Sequence, residues 1–544
     1  MCHSGIARLR ASLETPRLNV RNMVSNTFDM LKTHTFGDSA PEYSATYAIT
    51  FFFLCWVLIL ISRPTSCIPI HGSHWWFEPT FVLQTRFIHN ARGIISSGYA
   101  KFKDKPFVVR RYDVDITVLP HKYLGELRLI PSSKLSGVRA QIDNLVHRWT
   151  HTTLMMESDL HFRVLQNKLT AELPKYLDMA IEEAEYGWAL DVPQSEEWME
   201  VDIQQMMRNL VARMTSRIFL GLPTCRDLEW LELAIKFPVD TFTTAFTLRR
   251  FPPWLHAVIA PLIPARYRLR NRMKKALDIL SPTIAQYRRE KVPGSDGEHI
   301  SKGDTLLEWM IDHANEKELQ PLEMSTRQCI LTLASIHTTS MTVTNVILDL
   351  CAHPEWFPVL LDEIYVTTVE LGILGAGTGV KEWLPRLEKL DSFIVECQRF
   401  NPPILLAPQR VAMVPLKLHD GTEIPKGSRI SWAANDHLND PCVTPDPSTF
   451  DPMRSYRKRH SELDQRNKHL AGQTDINNLT FGYGKLACPG RAFAVGEIKA
   501  MLVKLLSEFE FRYPEGKARP ENMYVDENVF PDPSATIMMR KKTK

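Results

Sequence analysis

Phe481-Gly482-Tyr483-Gly484-Lys485-Leu486-Ala487-Cys488-Pro489-Gly490 is the stretch from which the rest of this chain is read. It runs directly into Arg491-Ala492-Phe493-Ala494-Val495-Gly496-Glu497-Ile498, an apolar, helix-forming sequence. A cysteine at the mouth of a helix is placed to be a thiolate, because the first N–H groups of the helix are unpaired and stabilise negative charge. Gly484 and Gly490 let backbone approach whatever the sulfur holds, and allow a turn that a side chain would block. A single cysteine near a helix start also reads as a small buried hydrophobe. Companion chemistry elsewhere in the chain decides between the two.

Glu396-Cys397-Gln398-Arg399 sets an acid and an arginine three residues apart, on one helical face. Alone, such a pair is usually a solvated surface bridge. Here Phe393-Ile394-Val395 and Phe400 flank it, which places it against a core. Upstream, Thr326 to Leu350 is a long helical run with Ala334-Ser335-Ile336-His337-Thr338-Thr339 at its centre. Hydroxyls inside a helix either bond local carbonyls or, beside small residues, border a groove.

The cysteine segment resembles the haem-binding loop of the cytochrome P-450 family: Phe, two residues, Gly, any residue, Arg or His, any residue, Cys, any residue, Gly. Phe481, Gly484, Cys488 and Gly490 meet that pattern, and Leu486 stands where it has a cation. The resemblance implies a mainly α fold with small β-sheets and heme b as cofactor, its iron ligated by Cys488. A thiolate ligand pushes electron density toward dioxygen and favours O–O cleavage. It further implies that Glu396 and Arg399, joined by Arg454 of Phe450-Asp451-Pro452-Met453-Arg454, brace the cysteine loop. A buried acid between two arginines is expensive to desolvate but fixes geometry. In the helix centre Ala334, Ser335 and Thr338 fit the family pattern, and His337 replaces an acid. Thr338 is then the catalytic hydroxyl that relays protons, with His337, which titrates near neutrality, organising the path. Arg410 matches an arginine that pairs with a haem propionate. Where the family often has Trp-x-x-x-Arg, this chain has His161-Phe162-Arg163-Val164-Leu165-Gln166, so two propionate contacts depart from the pattern and His161, Arg163 or Gln166 are the candidates to replace them. Gly98-Tyr99, Lys103-Asp104, Pro106-Phe107, Leu119-Pro120 and His437 with Asp440-Pro441 are further likenesses.

The 544 residues carry a formal charge of only +3, which gives no basis for nucleic-acid binding. Nine cysteines without a CxxC pair read as reduced thiols facing the cytosol. From Tyr43 to Ser62 there is no charged residue, and about twenty apolar residues suffice to cross a bilayer. A buried core helix is the alternative. Arg63, Arg86, Arg92 and Lys101 follow the segment while acids precede it, so the positive-inside bias orients the main domain to the cytosol. The organisation expected is a polar extension over 1–42, a single-pass anchor over 43–62 in the endoplasmic reticulum membrane, and the enzyme domain over 63–544. Either Met30 is the true start or the extension is lumenal; both readings stay open. Helical spacing runs from Trp75 to Tyr99, and Phe107–Arg111 and Asp115–Leu119 read as strands. Helices then fill His161 to Glu290, cut by Pro223 and by the apolar Phe251–Pro261, which is either a second lipid contact or a buried loop. A helix over Phe493–Leu506 and a strand over Phe509–Tyr513 close the chain.

The expected function is therefore that of a membrane-anchored monooxygenase resembling fungal enzymes of specialised metabolism. It would take electrons from an NADPH-cytochrome reductase and insert one oxygen of O2 into a hydrophobic small molecule, a terpenoid or meroterpenoid. A polyketide or prenylated alkaloid substrate, an oxygen-independent haem-thiolate isomerase or dehydratase, and a decayed or purely binding relative are the alternatives.

Overall fold

The computed structural model describes residues 68–75, 78–290 and 304–543, with a few positions of a helix between 47 and 54. It forms two units, Met1–Cys67 and Ile68–Lys544. The expected anchor over 43–62 lies almost entirely outside the described residues. Among the described residues no helix is long and apolar enough to cross a membrane.

In the large unit, Pro79 holds extended backbone (φ −59°, ψ 140°), so helix α1 (Thr80–Lys101) starts after it rather than at Trp75. Gly98 brings α1 onto strand β1 (Phe107–Arg110): a Cβ at Gly98 would come 2.4 Å from the Phe107 ring. β1 pairs antiparallel with β2 (Asp115–Val118), the two runs read as strands. Strands β3 (Leu135–Ser136), β4 (Arg410–Ala412) and β5 (Arg429–Ser431) complete a five-stranded sheet in the order β1-β2-β5-β4-β3.

The helical part holds α2 (Leu160–Val164), α3 (Leu173–Asp191), α4 (Ile203–Leu220), α5 (Leu228–Arg249), α6 (Pro264–Glu290), α7 (Pro321–Ala352), α8 (Glu388–Phe400) and α9 (Arg491–Glu508), with shorter turns between them. Through much of its length α7 has buried residues on every side, the signature of a central helix. Around it pack α4, α5, α6, α8 and α9. Gly496 lets α9 lie tight on α3, since a Cβ there would meet Leu177 at 2.8 Å. A second sheet joins Phe509–Arg512 to Ile537–Lys541 and the latter to Met199–Val201. The last of these strands falls inside the region read as helix. Its partner is at the opposite end of the chain, so no local periodicity announces it. The fold is mainly α with small sheets.

Candidate active site

The cysteine turn is built from backbone. Gly482 and Gly484 take positive φ (78° and 73°), and the Cys488 N–H donates to the Phe481 carbonyl at 2.8 Å, closing the loop on itself. Gly484 is also confined: a Cβ there would lie 3.1 Å from Arg128 Cβ and 3.3 Å from its carbonyl oxygen. Phe481 packs half-buried on the main core. The Cys488 side chain is accessible, though surrounded on most sides. Burial pushes its thiol up, against the backbone N–H groups of Gly490 and Arg491, which pull it down. Arg491 Nη1 donates to the Cys488 carbonyl at 2.8 Å, fixing the step into α9.

The Glu396–Arg399 pair forms a closed ionic centre of its own. Glu396 and Arg399 are each 3% exposed and meet twice, Nη2–Oε1 at 2.6 Å and Nε–Oε2 at 3.0 Å. Arg454 Nε joins at 3.3 Å and the Asp451 N–H at 2.9 Å, both on Glu396 Oε1. The remaining guanidinium N–H groups donate to carbonyls of Pro445, Asp446, Pro447 and Thr449. The structure thus brings Glu396, Arg399 and Arg454 together, and what they grip is the backbone of Pro445 to Asp451. A second buried pair escaped the sequence reading. Asp391 on α8 meets Lys499 on α9 at 2.7 Å and also accepts the Ala471 N–H at 2.9 Å. It ties the brace helix straight to the helix that follows Cys488. The local hint was Lys499 set between Ile498 and the apolar run Ala500–Val503. Tyr99 and Lys103 likewise converge on Asp440, at 3.0 and 2.5 Å, uniting two distant likenesses.

At the centre of α7, Ala334 and Thr338 are exposed one turn apart, while Ile336 and Thr339 are buried. Thr338 Oγ1 donates to the Ala334 carbonyl at 2.9 Å and Ser335 Oγ to Leu331 at 2.9 Å, so local back-bonding is present and the Thr338 hydroxyl is still accessible. His337 turns elsewhere. Its Nε2 is 2.8 Å from the Ile235 carbonyl of α5, and the ring borders an outward-opening cleft of ≈ 420 Å³ with Arg208, Asn209, Arg213 and Lys236. Burial, together with nearby Arg208, lowers its pKa and keeps the imidazole neutral. His337 and Thr338 are thus adjacent in sequence but face different surroundings.

A haem asks three things of a site: a sulfur donor, room for a flat ring and positive charge for its carboxylates. Cys488 supplies the first. A Cβ at Gly490 would meet nothing within 4 Å, and Ala334 and Thr338 are uncovered, which answers the second. For the third, Arg410 is half-buried, donates only to the carbonyl of Gln409 and has no carboxylate beside it among the described residues. Burial alone pulls its guanidinium down to about 10. His161 is 5% exposed with Nε2 unpartnered, and burial beside Arg327 pushes it down to about 4. Arg163 is engaged with Asp159 at 2.9 Å, and Gln166 is exposed. The residues present fit the group.

A buried ionic network joins segments far apart in the chain. Arg249, at the end of α5, meets Asp526 at 2.8 Å. Arg111, 1% exposed, meets Asp113 at 2.7 Å and Glu527 closer still. Glu527 also accepts from Gln409 at 3.0 Å, next to Arg410. Three stretches far apart in sequence are therefore held in one place.

Comparison with known proteins agrees with this geometry. The model of the cytochrome P-450 family matches residues 144–538. The cytochrome P-450 monooxygenase ATR4 of Stachybotrys chlorohalonatus is 42% identical over 91% of this chain and 94% of its own length. Ent-kaurene oxidase of Fusarium fujikuroi is 37% identical over 93% of this chain and 95% of its own. The solved structure of retinoic acid-bound cyanobacterial CYP120A1 superposes with a TM-score of 0.63, covering 88% of this chain and 100% of that one at 18% identity, and so shares the fold. The chain belongs to the cytochrome P-450 family and is a monooxygenase, an oxidoreductase of the haem-thiolate type whose haem iron is ligated by cysteine.

Proposed function

We propose that Cys488 is the cysteine that ligates the haem iron, and that the enzyme oxidises a hydrophobic natural product, a terpenoid or meroterpenoid. The observation carrying the first part is the accessible thiol on a backbone-built turn directly before α9. Relatives named ent-kaurene oxidase support the second. When bound, the haem supplies the oxygen-activating chemistry that inserts one atom of dioxygen into a C–H bond.

The chain's own groups do the rest. Arg410 offers an unpaired guanidinium to a haem carboxylate, and Phe481, Gly484 and Gly490 shape the turn against the ring. Glu396, Arg399 and Arg454 hold the backbone of Pro445 to Asp451. Thr338 Oγ1 is the proton-handling atom: releasing its bond to the Ala334 carbonyl frees the hydroxyl to accept and donate on the open face of α7. His337 faces away from that hydroxyl, and its neutral ring ties α7 to α5 through the Ile235 carbonyl instead of feeding it protons. The buried network of Arg111, Arg249, Asp526 and Glu527 positions the strand of Arg410 through Gln409. The uncharged stretch 43–62 anchors the protein in the endoplasmic reticulum membrane with the enzyme unit in the cytosol, where an NADPH-cytochrome reductase delivers electrons. Phe251–Pro261, with Trp254 75% and Val258 62% exposed, adds a second lipid contact.

Expression in yeast microsomes with a reductase, followed by mass spectrometry against a panel of terpenoids, polyketides and prenylated alkaloids, tests the reading. An oxidised terpenoid formed only with NADPH supports it. Turnover confined to the other classes, or turnover without NADPH, overturns it.

A further inference from the structure

The cysteine turn carries no cation at Leu486, yet three observations place one beside it. The first is contact. Arg128 follows the short helix Leu124–Leu127 and presses its backbone on Gly484, with an added Cβ only 3.1 Å from Arg128 Cβ. The second is orientation. The Arg128 guanidinium lies 5.5 Å from the ring centre of Tyr483, on the turn itself. Leu486 is two residues past Gly484 on a 3₁₀ turn, about 4 Å of rise, within the reach of an arginine side chain. The third is the lack of any other engagement. Arg128 is exposed, and among the described residues no carboxylate lies within 4 Å of it and no side-chain hydrogen bond occupies it. One core cluster seats this arrangement: Leu127, Leu135, Ala412 and Leu479, with Tyr483 packed against them, join the Arg128 segment, strand β4 of Arg410 and the cysteine loop.

The neighbouring cations do not compete. Lys485 is exposed one position earlier, about a third of a turn round the 3₁₀ axis. Arg491 is occupied by the Cys488 carbonyl. An exposed arginine is ordinarily just a solvated charge, but a planar fork fixed against a carboxylate site is suited to bidentate pairing.

We infer that Arg128 supplies, from outside the cysteine loop, the positive charge for a haem carboxylate that Leu486 cannot provide, acting as a positioning residue alongside Arg410. The inference rests on the assignment of Cys488 as haem ligand made above.

The test is the rate of haem transfer from the full-length holoprotein to apomyoglobin, for wild type, Arg128→Gln, Arg128→Lys, Leu486→His and Arg128→Gln with Leu486→His. Each is loaded with haem or with haem dimethyl ester, whose carboxylates are blocked. Arg128→Gln should lose haem at least about tenfold faster, the scale of one charge-assisted hydrogen bond, with an unchanged ferrous–CO band. Arg128→Lys should fall between it and wild type. Leu486→His should slow loss in both backgrounds. With the dimethyl ester, wild type and Arg128→Gln should lose the group at equal rates. An Arg128→Gln rate within twofold of wild type overturns the inference, and so does equal acceleration with the ester, which would mark Arg128 as mere packing on Tyr483. A wild type lacking the thiolate CO band would instead defeat the Cys488 assignment.

Discussion

Around helix α8, Glu396 holds two arginines and a backbone N–H, and Asp391 holds Lys499 and another. On the open side of the turn, Arg410 has no carboxylate, His161 Nε2 has no partner and Thr338 is uncovered. Both regions are rich in polar groups, but only the first completes its bonding within the polypeptide. Buried polar groups are mostly satisfied in folded proteins; Gln328 and Thr215 are also left unpartnered elsewhere, so what gives Arg410 and His161 meaning is that they are also haem-site candidates. The closed region is scaffold and the open one is site.

That contrast can be broken most forcefully at Glu396. Glu396→Ala leaves two guanidiniums without their acid, a loss of about 3–5 kcal/mol. The urea midpoint should fall sharply and little haem should be retained per chain. A near-native midpoint would mean the brace is not scaffold. Next comes the pair sequence reading missed. Asp391→Asn should destabilise by about 3 kcal/mol because Lys499 stays buried and unpaired, whereas Asp391→Leu with Lys499→Met should recover most of it. A double-mutant cycle by urea denaturation reads both.

On the open side the expectation reverses, with chemistry changing and stability holding. Thr338→Ala removes only a hydroxyl already back-bonded in its helix, so stability should stay within about 0.5 kcal/mol. Product formed per NADPH should drop at least about tenfold, with peroxide released instead. The smallest effect is a pH dependence. The folded pKa of His337 lies below its ordinary 6.5, so the unfolded chain binds the proton more readily. The stability tied to its neutral ring is complete above that value and is lost as pH falls toward the folded one. His337→Gln should therefore flatten the stability profile between about pH 7 and 5, measured by urea unfolding at each pH.

How much of this was legible follows from sequence distance. Glu396 and Arg399 sit one helical turn apart among apolar residues, and β1 and β2 are short β-branched runs a few residues apart, so local pattern reveals them. Asp391–Lys499, Arg249–Asp526 and the pairing of Met199–Val201 with Ile537–Met539 link segments that are not neighbours in sequence. Periodicity is blind to such partners. The direction of His337 was hidden for another reason: only the packing of α5 on α7 offers it the Ile235 carbonyl. Leu486 was visible as a missing charge, but the nearby Arg128 became visible only when the turn closed on it.

Reduction of the purified holoprotein under carbon monoxide tests the central claim most directly. If Cys488 ligates the iron as a thiolate, the native protein shows the strongly red-shifted Soret band and Cys488→Ser lacks it. A native protein without that band, or a serine variant that keeps it, would contradict the account.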